Sequence, residues 1–181
     1  MKRYLISAII VFILIFGALA YFSLKNKTEI KDLNYNSLND NMKVKSVFNN
    51  NERIPEKYTC DSDNVNPPLE IISSNNAKSF VLIVDDPDAP SGTWVHWVVF
   101  NIKTKNIYEN SVPGIQGKND FGKSDYGGPC PPSVTHRYFF KVYALDNELN
   151  LKEGSNKSDV EKAMKGHIID KTELIGKYSK N

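Results

Sequence analysis

Three long apolar runs constrain the fold of this 181-residue chain more than any other feature. Residues 79–84 read SFVLIV, residues 94–102 read WVHWVVFNI and residues 137–145 read RYFFKVYAL. β-Branched and aromatic side chains dominate all three runs, which is typical of strands buried in a sheet. The segments between them are rich in Pro, Gly, Asp and Asn and show no helical pattern. Strands joined by such loops predict an antiparallel arrangement of two packed sheets.

Both ends of the predicted domain carry weaker signals. Residues 42–48, MKVKSVF, alternate loosely between polar and apolar, which predicts a half-buried strand. Residues 158–161, SDVE, match a capping box and predict a helix that runs to Lys165 and stops at Gly166. Residues 173–178 then form a short closing strand. The sequence therefore predicts a mostly β domain with one short helix near its C-terminus.

The N-terminus is unlike the rest of the chain. Lys2 and Arg3 precede residues 4–24, which carry no charge and are rich in Ile, Leu, Phe and Ala. An A-x-A sequence at residues 18–20 favours a signal peptide cleaved after Ala20. The uncharged run continues to Leu24, however, long enough as a hydrophobic helix to anchor the protein in a bilayer. Residues 1–24 are therefore either a signal peptide or a membrane anchor, and both predict export. An anchored domain would face outside, and a cleaved one would be a secreted or periplasmic protein.

Residues 25–41 are polar and without periodicity, and they form either a tether or a disordered mature N-terminus. The folded domain is predicted to cover residues 42–181. The apolar content of the whole chain is 40%, which allows a sizeable core. The mean hydropathy of −0.42 argues against several membrane spans. The net charge is +2 without a basic block, which excludes nucleic acid as an expected partner.

An acidic, proline-containing turn follows the first of the buried runs. Residues 85–90 read DDPDAP, and the two prolines fix the backbone so that the carboxylates project from a nearly rigid turn. Asp-Pro is also an ordinary turn signal. Carboxylates beside a buried strand need partners, however, and Arg137 and the histidines are the expected ones.

A second loop and two histidine-containing strands complete the pattern. Residues 125–132, DYGGPCPP, predict a stiff loop whose amides can point at an anion. On the strand that follows, alternation places His136 and Tyr138 on one face and Arg137 on the other, where it can pair with an aspartate. On the preceding strand it predicts two faces: Trp94, His96 and Val98 on one, and Val95, Trp97 and Val99 on the other. The two segments are thus predicted to form the walls of one small anion-binding pocket.

These segments resemble the phosphatidylethanolamine-binding protein family, and they are most similar to its bacterial and archaeal branch, often called Raf-kinase-inhibitor-like. The resemblance rests on VDDPDAPSGTWVHWVVFNI at residues 84–102 and on QGKNDFGKSDYGGPCPPSVTHRYFFKVYALD at residues 116–146. KYTCDSDNVNPPLE at residues 57–70 and AMKGHIIDKTELIGKYS at residues 163–179 fit the same branch. It covers roughly residues 42–178.

The resemblance implies an antiparallel Greek-key β-sandwich with a small pocket that accepts phosphate-like groups. By motif position, the implied ligand-binding residues are Asp86, Ala89, Pro90, Trp94, His96, Gly128, Pro132, His136 and Tyr138. Asp88 and Arg137 are expected to support them. The family is known for ligand binding and for inhibiting kinases or proteases rather than for catalysis. The chain departs from the pattern at Ser62, at Asn66 and at residues 133–135, SVT, so its ligand preference is where it is expected to differ.

Cys60 and Cys130 are the only cysteines, and both fall within these motifs. An even count in an exported domain favours a disulfide. Two buried thiols are the alternative, because cysteine packs as a small hydrophobe.

Three functions follow from the predicted pocket. The first is a non-enzymatic binding protein for a small phosphorylated or other anionic ligand, without a cofactor or metal. The alternative is a hydrolase or metal-dependent enzyme using Asp86, Asp88, His96 and His136. The chain has no HExxH, GxSxG or paired CxxC motif that would favour such an enzyme. The third is an inhibitor that acts on a partner enzyme through the loops around the pocket.

Overall fold

The structure is a computed structural model that describes residues 42–73 and 75–180. The signal peptide or anchor predicted for residues 1–24 and the tether predicted for residues 25–41 lie outside these ranges. Within them, no helix is long and apolar enough to cross a membrane.

The described chain consists of nine strands, one 3-10 turn and one α-helix. In chain order they are β1 (Lys43–Lys45), β2 (Glu52–Arg53), the 3-10 turn (Glu56–Tyr58), β3 (Leu69–Ile72), β4 (Ser79–Asp86), β5 (Trp94–Ile102), β6 (Asn106–Ile107), β7 (Ile115–Gln116), β8 (His136–Leu145), α1 (Lys157–Met164) and β9 (Ile168–Tyr178). The prediction of a mostly β domain with a short C-terminal helix is confirmed.

The strands form two sheets. The smaller has the order β1-β3-β6, and the larger has the order β2-β9-β8-β4-β5-β7. All pairs are antiparallel except β2 with β9, which is parallel, so the prediction of antiparallel pairing is wrong at this edge. Asn51, with a φ of 67°, turns the chain beside β9, and its amide donates to the Ile175 carbonyl. The chain therefore enters β2 in the same direction as β9.

The larger sheet is buried on both faces because β4 alternates between two hydrophobic clusters. Phe80, Leu82 and Val84 pack in one cluster with side chains of the smaller sheet, such as Leu69 and Ile71. The intervening Val81 and Ile83 pack in the other cluster, which includes Val160 and Met164 of α1. All eight residues of β4 are therefore buried, which explains why this run shows no polar alternation.

Element boundaries differ from the predictions at both ends of the domain. The strand predicted over residues 42–48 is confined to Lys43–Lys45, which is as far as its pairing with β3 reaches. The closing strand predicted over residues 173–178 instead spans Ile168–Tyr178. It is longer because it pairs with the whole of β8, from His136 opposite Tyr178 to Leu145 opposite Ile168.

The capping box predicted at residues 158–161 is wrong. Helix α1 begins at Lys157, and its N-cap is Asn156, two residues before the predicted N-cap Ser158; the side-chain oxygen of Asn156 accepts from the Asp159 amide. Asn156 has an extended backbone and a side-chain acceptor, so it satisfies a free amide of the first turn. The helix ends at Met164, one residue before the predicted end. Lys165 is the C-cap, and Gly166 follows it with a φ of 86°.

A β-bulge in β5 changes the direction of His96. Val84 of β4 lies opposite Trp97, and Asp85 lies opposite Val95, so His96 is an extra residue on β5. Beyond the bulge the alternation is reversed: Val98 packs in the same cluster as Val95, on the helix side, whereas Trp97 packs on the other side. The predicted face shared by His96 and Val98 is therefore wrong. Bulges re-aim single side chains in this way.

Candidate functional site

A cavity of about 310 Å³ lies where the end of β4 and the starts of β5 and β8 meet the neighbouring loops. Its lining residues are Asp86, Ala89, Pro90, Ser91, Trp94, His96, Phe121, Cys130, Pro131, Pro132, His136 and Tyr138. The structure thus brings together all but one of the residues predicted to bind the ligand. The exception is Gly128.

Gly128 lies behind the wall rather than in it. Its amide donates to Asn64 Oδ1 at 2.7 Å, and a Cβ at this position would lie 2.6 Å from the Tyr58 carbonyl oxygen. Glycine is therefore required for the close contact between two loops. The same contact holds Cys60 beside Cys130, and the structure joins these residues by a disulfide with a Cα–Cα distance of 5.4 Å.

Asp86 and His136 form a buried pair at the base of the pocket. His136 Nδ1 lies 2.7 Å from Asp86 Oδ2, and the two side chains are 4% and 5% exposed. The other oxygen of Asp86 accepts from the Asp88 amide at 2.8 Å. Because the carboxylate accepts, Nδ1 of His136 carries a proton and is the donor. The other ring nitrogen, Nε2, takes no part in this pair.

His96 is fixed in the same manner by the backbone. Its Nδ1 lies 2.7 Å from the Gly127 carbonyl oxygen, which can only accept, so Nδ1 carries the proton. Burial lowers the pKa of His96, although the Gly127 carbonyl and the charge of Asp86 oppose the shift. The neutral imidazole therefore predominates at neutral pH and leaves Nε2 free of a proton.

Two buried polar atoms of the pocket have no hydrogen-bond partner among the described residues. They are the indole Nε1 of Trp94 and the hydroxyl oxygen of Tyr138. Burial, assisted by the charge of Asp86, raises the pKa of Tyr138, and the nearby Cys130 amide, which does not reach hydrogen-bond geometry with the hydroxyl, acts weakly in the opposite direction. The phenol therefore keeps its proton at neutral pH, so both groups are unused donors. Buried donors without partners are uncommon because they cost free energy.

Arg137 points away from the pocket, as alternation predicts, and holds Asp88. Its Nε and NH2 groups donate to the two carboxylate oxygens at 2.9 and 2.6 Å, and its amide donates to Oδ2. These hydrogen bonds lower the pKa of Asp88 to about 2. The guanidinium is thereby committed to the acidic turn, so the lining residues include no lysine or arginine.

Asp85 has different partners from those that the sequence suggested. It points to the helix side of the sheet and is fully buried. Its Oδ2 accepts from Lys141 Nζ at 3.0 Å and from Lys157 Nζ at 2.7 Å. The expected pairing with Arg137 or a histidine is wrong for Asp85, because its side chain lies on the helix side of the sheet, where Lys141 of β8 and Lys157 of α1 reach it.

Four lining residues were missed in the sequence: Ser91, Phe121, Cys130 and Pro131. Phe121 is the largest, and its ring contacts His96 and Trp94 edge-to-face, with centroids 5.4 and 5.5 Å apart. It comes from the loop after β7, which carries no periodic pattern that could have indicated its position. Among the described residues there is no group of three His, Cys, Asp or Glu that could hold a metal ion.

Residues 44–179 match the profile of the phosphatidylethanolamine-binding protein family. The chain belongs to this family. Its similarity to archaeal and bacterial members, described next, places it in the branch that the sequence motifs indicated.

A UPF0098 protein of Pyrococcus horikoshii is 51% identical over 152 residues, which cover 77% of each chain. A UPF0098 protein of Methanothermobacter thermautotrophicus is 49% identical over 142 residues, or 73% of this chain and 94% of the relative. Among solved structures, a putative phosphatidylethanolamine-binding protein homologue of Chlamydia trachomatis has a TM-score of 0.75 at 41% identity, covering 77% of this chain and 98% of the other. Escherichia coli YbcL, described as a member of the mammalian PEBP family, has a TM-score of 0.70 at 26% identity, covering 78% and 99%.

Proposed function

We propose that this family member is a non-enzymatic binding protein whose pocket holds a small anion, such as a phosphate or a phospholipid headgroup. The observation that carries the proposal is that two residues lining one cavity, Trp94 and Tyr138, each have a buried donor, Nε1 and OH, without a hydrogen-bond partner among the described residues. Unpaired donors beside a concave site are what an oxyanion requires. Membership of the family supports a binding role.

The charge of the lining sets how an anion would be held. The pocket has one carboxylate, Asp86, and no fixed cation, so neutral donors and a protonated imidazole must balance the ligand. An anion beside His96 favours the imidazolium and raises the pKa that burial has lowered. Binding is therefore expected to take up a proton and to strengthen as the pH falls.

The mouth of the pocket is apolar. Phe121, which is 43% exposed, and Pro132 both line the cavity. Val134, which follows Pro132 by two residues in the chain, is 65% exposed. A ligand with an anionic end and an apolar portion would use the apolar lining as well as the donors, which supports a phospholipid-like molecule over free phosphate. An inhibitor-like role on a partner kinase or protease would use the same mouth together with the exposed Val134, which belongs to the segment that departs from the family pattern.

The Asp86–His136 pair is the feature that favours a hydrolase, because an oriented imidazole can act as a base. Ser91 also lines the pocket, but within the described chain its hydroxyl makes no hydrogen bond to His136. The nucleophile–base contact typical of such enzymes is therefore not formed, and binding is the better supported function.

The domain is proposed to act outside the cytoplasm. The uncharged run at residues 4–24 and the disulfide between Cys60 and Cys130 both support export. Whether the domain stays on the membrane depends on cleavage after Ala20, and the mass of the mature protein distinguishes the two cases.

Calorimetry of the full chain with O-phosphoethanolamine and with inorganic phosphate at about pH 6 tests the proposed ligand class. Saturable binding that weakens in Tyr138→Phe but not in Tyr108→Phe is expected, because Tyr108 is 72% exposed and does not line the pocket. Equal affinities for the two variants, or no heat from either ligand with folded protein, would contradict the proposal.

A further inference from the structure

A second cavity, of about 220 Å³, shares no lining residue with the anion pocket. It is lined by Asn64, Val65, Asn66, Trp97, Asn110, Ser111, Val112, Gln116, Asp125 and Tyr126. The two cavities are neighbours along β5, since His96 lines the first and Trp97 lines the second. The loop of residues 125–132 contributes to both, through Cys130 to the first and through Asp125 to the second.

Two amide side chains of the second cavity have a fixed orientation. Gln116 Oε1 accepts from Trp97 Nε1 at 2.8 Å, and Asn64 Oδ1 accepts from the Gly128 amide at 2.7 Å. Because each oxygen is engaged, each NH2 group is the free end and is a directed donor. Neither NH2 group has a hydrogen-bond partner in the described part of the chain.

The cavity also has hydrogen-bond acceptors. One oxygen of the Asp125 carboxylate accepts a long hydrogen bond, of 3.3 Å, from the side-chain amide of Asn119. Ser111 donates its hydroxyl proton to the Tyr108 carbonyl at 2.6 Å, so its oxygen keeps lone pairs for a ligand. The lining has no lysine, arginine or histidine and one carboxylate, which makes it a poor site for an anion.

The cavity is preformed rather than assembled by a ligand. Asn66 is buried, and it accepts from the Ser111 amide and donates to the Tyr108 carbonyl, which fixes the loop on one side. On the other side the Tyr126 hydroxyl donates to the Tyr58 carbonyl at 2.9 Å. The Tyr126 ring also packs edge-on against Trp97, with centroids 5.5 Å apart. A rigid site loses little free energy to ordering on binding.

We infer that this second cavity binds a neutral polyhydroxylated molecule of the size of a polyol or a single sugar. Its lining offers both donors and acceptors, as the hydroxyl groups of such a ligand require, and aromatic and valine side chains supply apolar contact surface. The inference does not depend on the anion pocket, because the two cavities are neighbours but share no lining residue.

The experiment is an NMR titration of the ¹⁵N-labelled full chain with glycerol, myo-inositol, D-glucose and D-galactose, each up to about 10 mM, a range that detects millimolar affinity. Gln116 is the single glutamine of the chain, so its side-chain NH2 signals are readily assigned. The expected result is a saturable shift of these signals and of the Trp97 indole by at least one compound, with the Trp94 indole unchanged. No saturable shift with any of the four compounds overturns the inference.

Gln116→Glu is the decisive variant. It keeps an oxygen to accept from Trp97 Nε1 but replaces the directed donor by an acceptor, so the affinity for the bound polyol should fall about tenfold. Asn150→Asp adds the same charge at an exposed position outside the cavity and should leave the affinity unchanged. Equal loss in both variants, or none in Gln116→Glu, contradicts the inference. Phosphate binding is measured in parallel, so failure here is distinguishable from failure of the anion pocket.

Discussion

Asp86 Oδ2 and His136 Nδ1 lie 2.7 Å apart between side chains that are almost fully buried. The chain has a second pair of the same kind, Asp146 with His167 at 2.8 Å, in which both side chains are about half exposed and neither lines the pocket. The two pairs share their chemistry and differ in burial and position. The exposed pair is therefore a matched control for the buried one.

Asp86→Asn is expected to weaken binding of inorganic phosphate at about pH 6 by about tenfold, or about 1.4 kcal/mol. The substitution keeps the shape of the side chain but replaces the carboxylate that accepts from His136 Nδ1 by a weaker, neutral acceptor, so the imidazole is held less firmly for the ligand. This loss should exceed the removed repulsion between Asp86 and the ligand, because the two buried side chains are in direct contact. Calorimetry provides the measurement.

Asp146→Asn should leave the phosphate affinity unchanged, since its histidine is outside the pocket. If Asp86→Asn binds phosphate as tightly as the unmodified chain, or if both substitutions weaken binding equally, the assigned role of the buried pair is wrong.

Tyr138→Phe is expected to keep or increase the free energy of unfolding, by up to about 2 kcal/mol, because it removes a buried hydroxyl that lacks a partner. Tyr126→Phe is the comparison, since that hydroxyl donates to the Tyr58 carbonyl and its loss should cost about 1 kcal/mol. Urea unfolding of both variants gives the two values. A Tyr138→Phe variant that is destabilised as much as Tyr126→Phe would show that the hydroxyl serves the fold rather than a ligand.

Reduction of the Cys60–Cys130 disulfide is expected to lower the free energy of unfolding by about 4 kcal/mol, the chain-entropy value for a closed loop of 70 residues. It should also weaken phosphate binding, because Cys130 and the two prolines after it line the pocket. Urea midpoints with and without reductant measure the first effect. The Cys60→Ala/Cys130→Ala variant should not respond to reductant. An unchanged midpoint in protein shown by titration to have two free thiols would contradict the expectation.

The pH dependence of stability should report His96. Burial lowers its pKa in the folded state, whereas the unfolded chain has a value of about 6.5. Below a pH of about 6.5 the unfolded state binds more protons than the folded state, so the free energy of unfolding falls on acidification. The stabilising contribution of His96 is complete above that pH. A bound anion raises the pKa of His96 and should oppose this loss.

Sulfate, which keeps its charge over the range, is therefore expected to raise the Tm more at about pH 5.5 than at about pH 8 at matched ionic strength. His96→Asn should remove the difference between the two pH values. A sulfate effect that is independent of pH in the unmodified chain would exclude protonation of His96 on binding.

The central strands and half of the site could be predicted from local patterns. Residues 94–102 match β5 in full, and on β8 strict alternation places His136 and Tyr138 in the pocket and Arg137 behind it. The first prediction depends on a continuous run of β-branched and aromatic residues and the second on strand period, which β8 keeps at this end because its pairing with β9 is regular there. The remaining lining positions came from family motifs.

Most of the errors involve contacts that local patterns do not encode. The bulge at His96 is fixed by the register with β4, which the sequence of β5 alone does not contain. Lys157 reaches Asp85 across 72 residues, and Phe121 enters the pocket from an irregular loop. The cap of α1 is the exception, since Asn156 accepts from Asp159 only three residues away, and residues 158–161 offered the more complete motif.

The indole NMR signals of the two tryptophans test the anion pocket most directly. Trp97 Nε1 already donates to Gln116, whereas Trp94 Nε1 has no partner in the described structure and lines the pocket. Titration of the ¹⁵N-labelled full chain with O-phosphoethanolamine should shift the Trp94 indole proton downfield in a saturable manner, as expected for a new hydrogen bond to an anion, and leave the Trp97 signal in place. A Trp94 signal that does not move at saturating ligand, or a shift confined to Trp97, would contradict the proposed function.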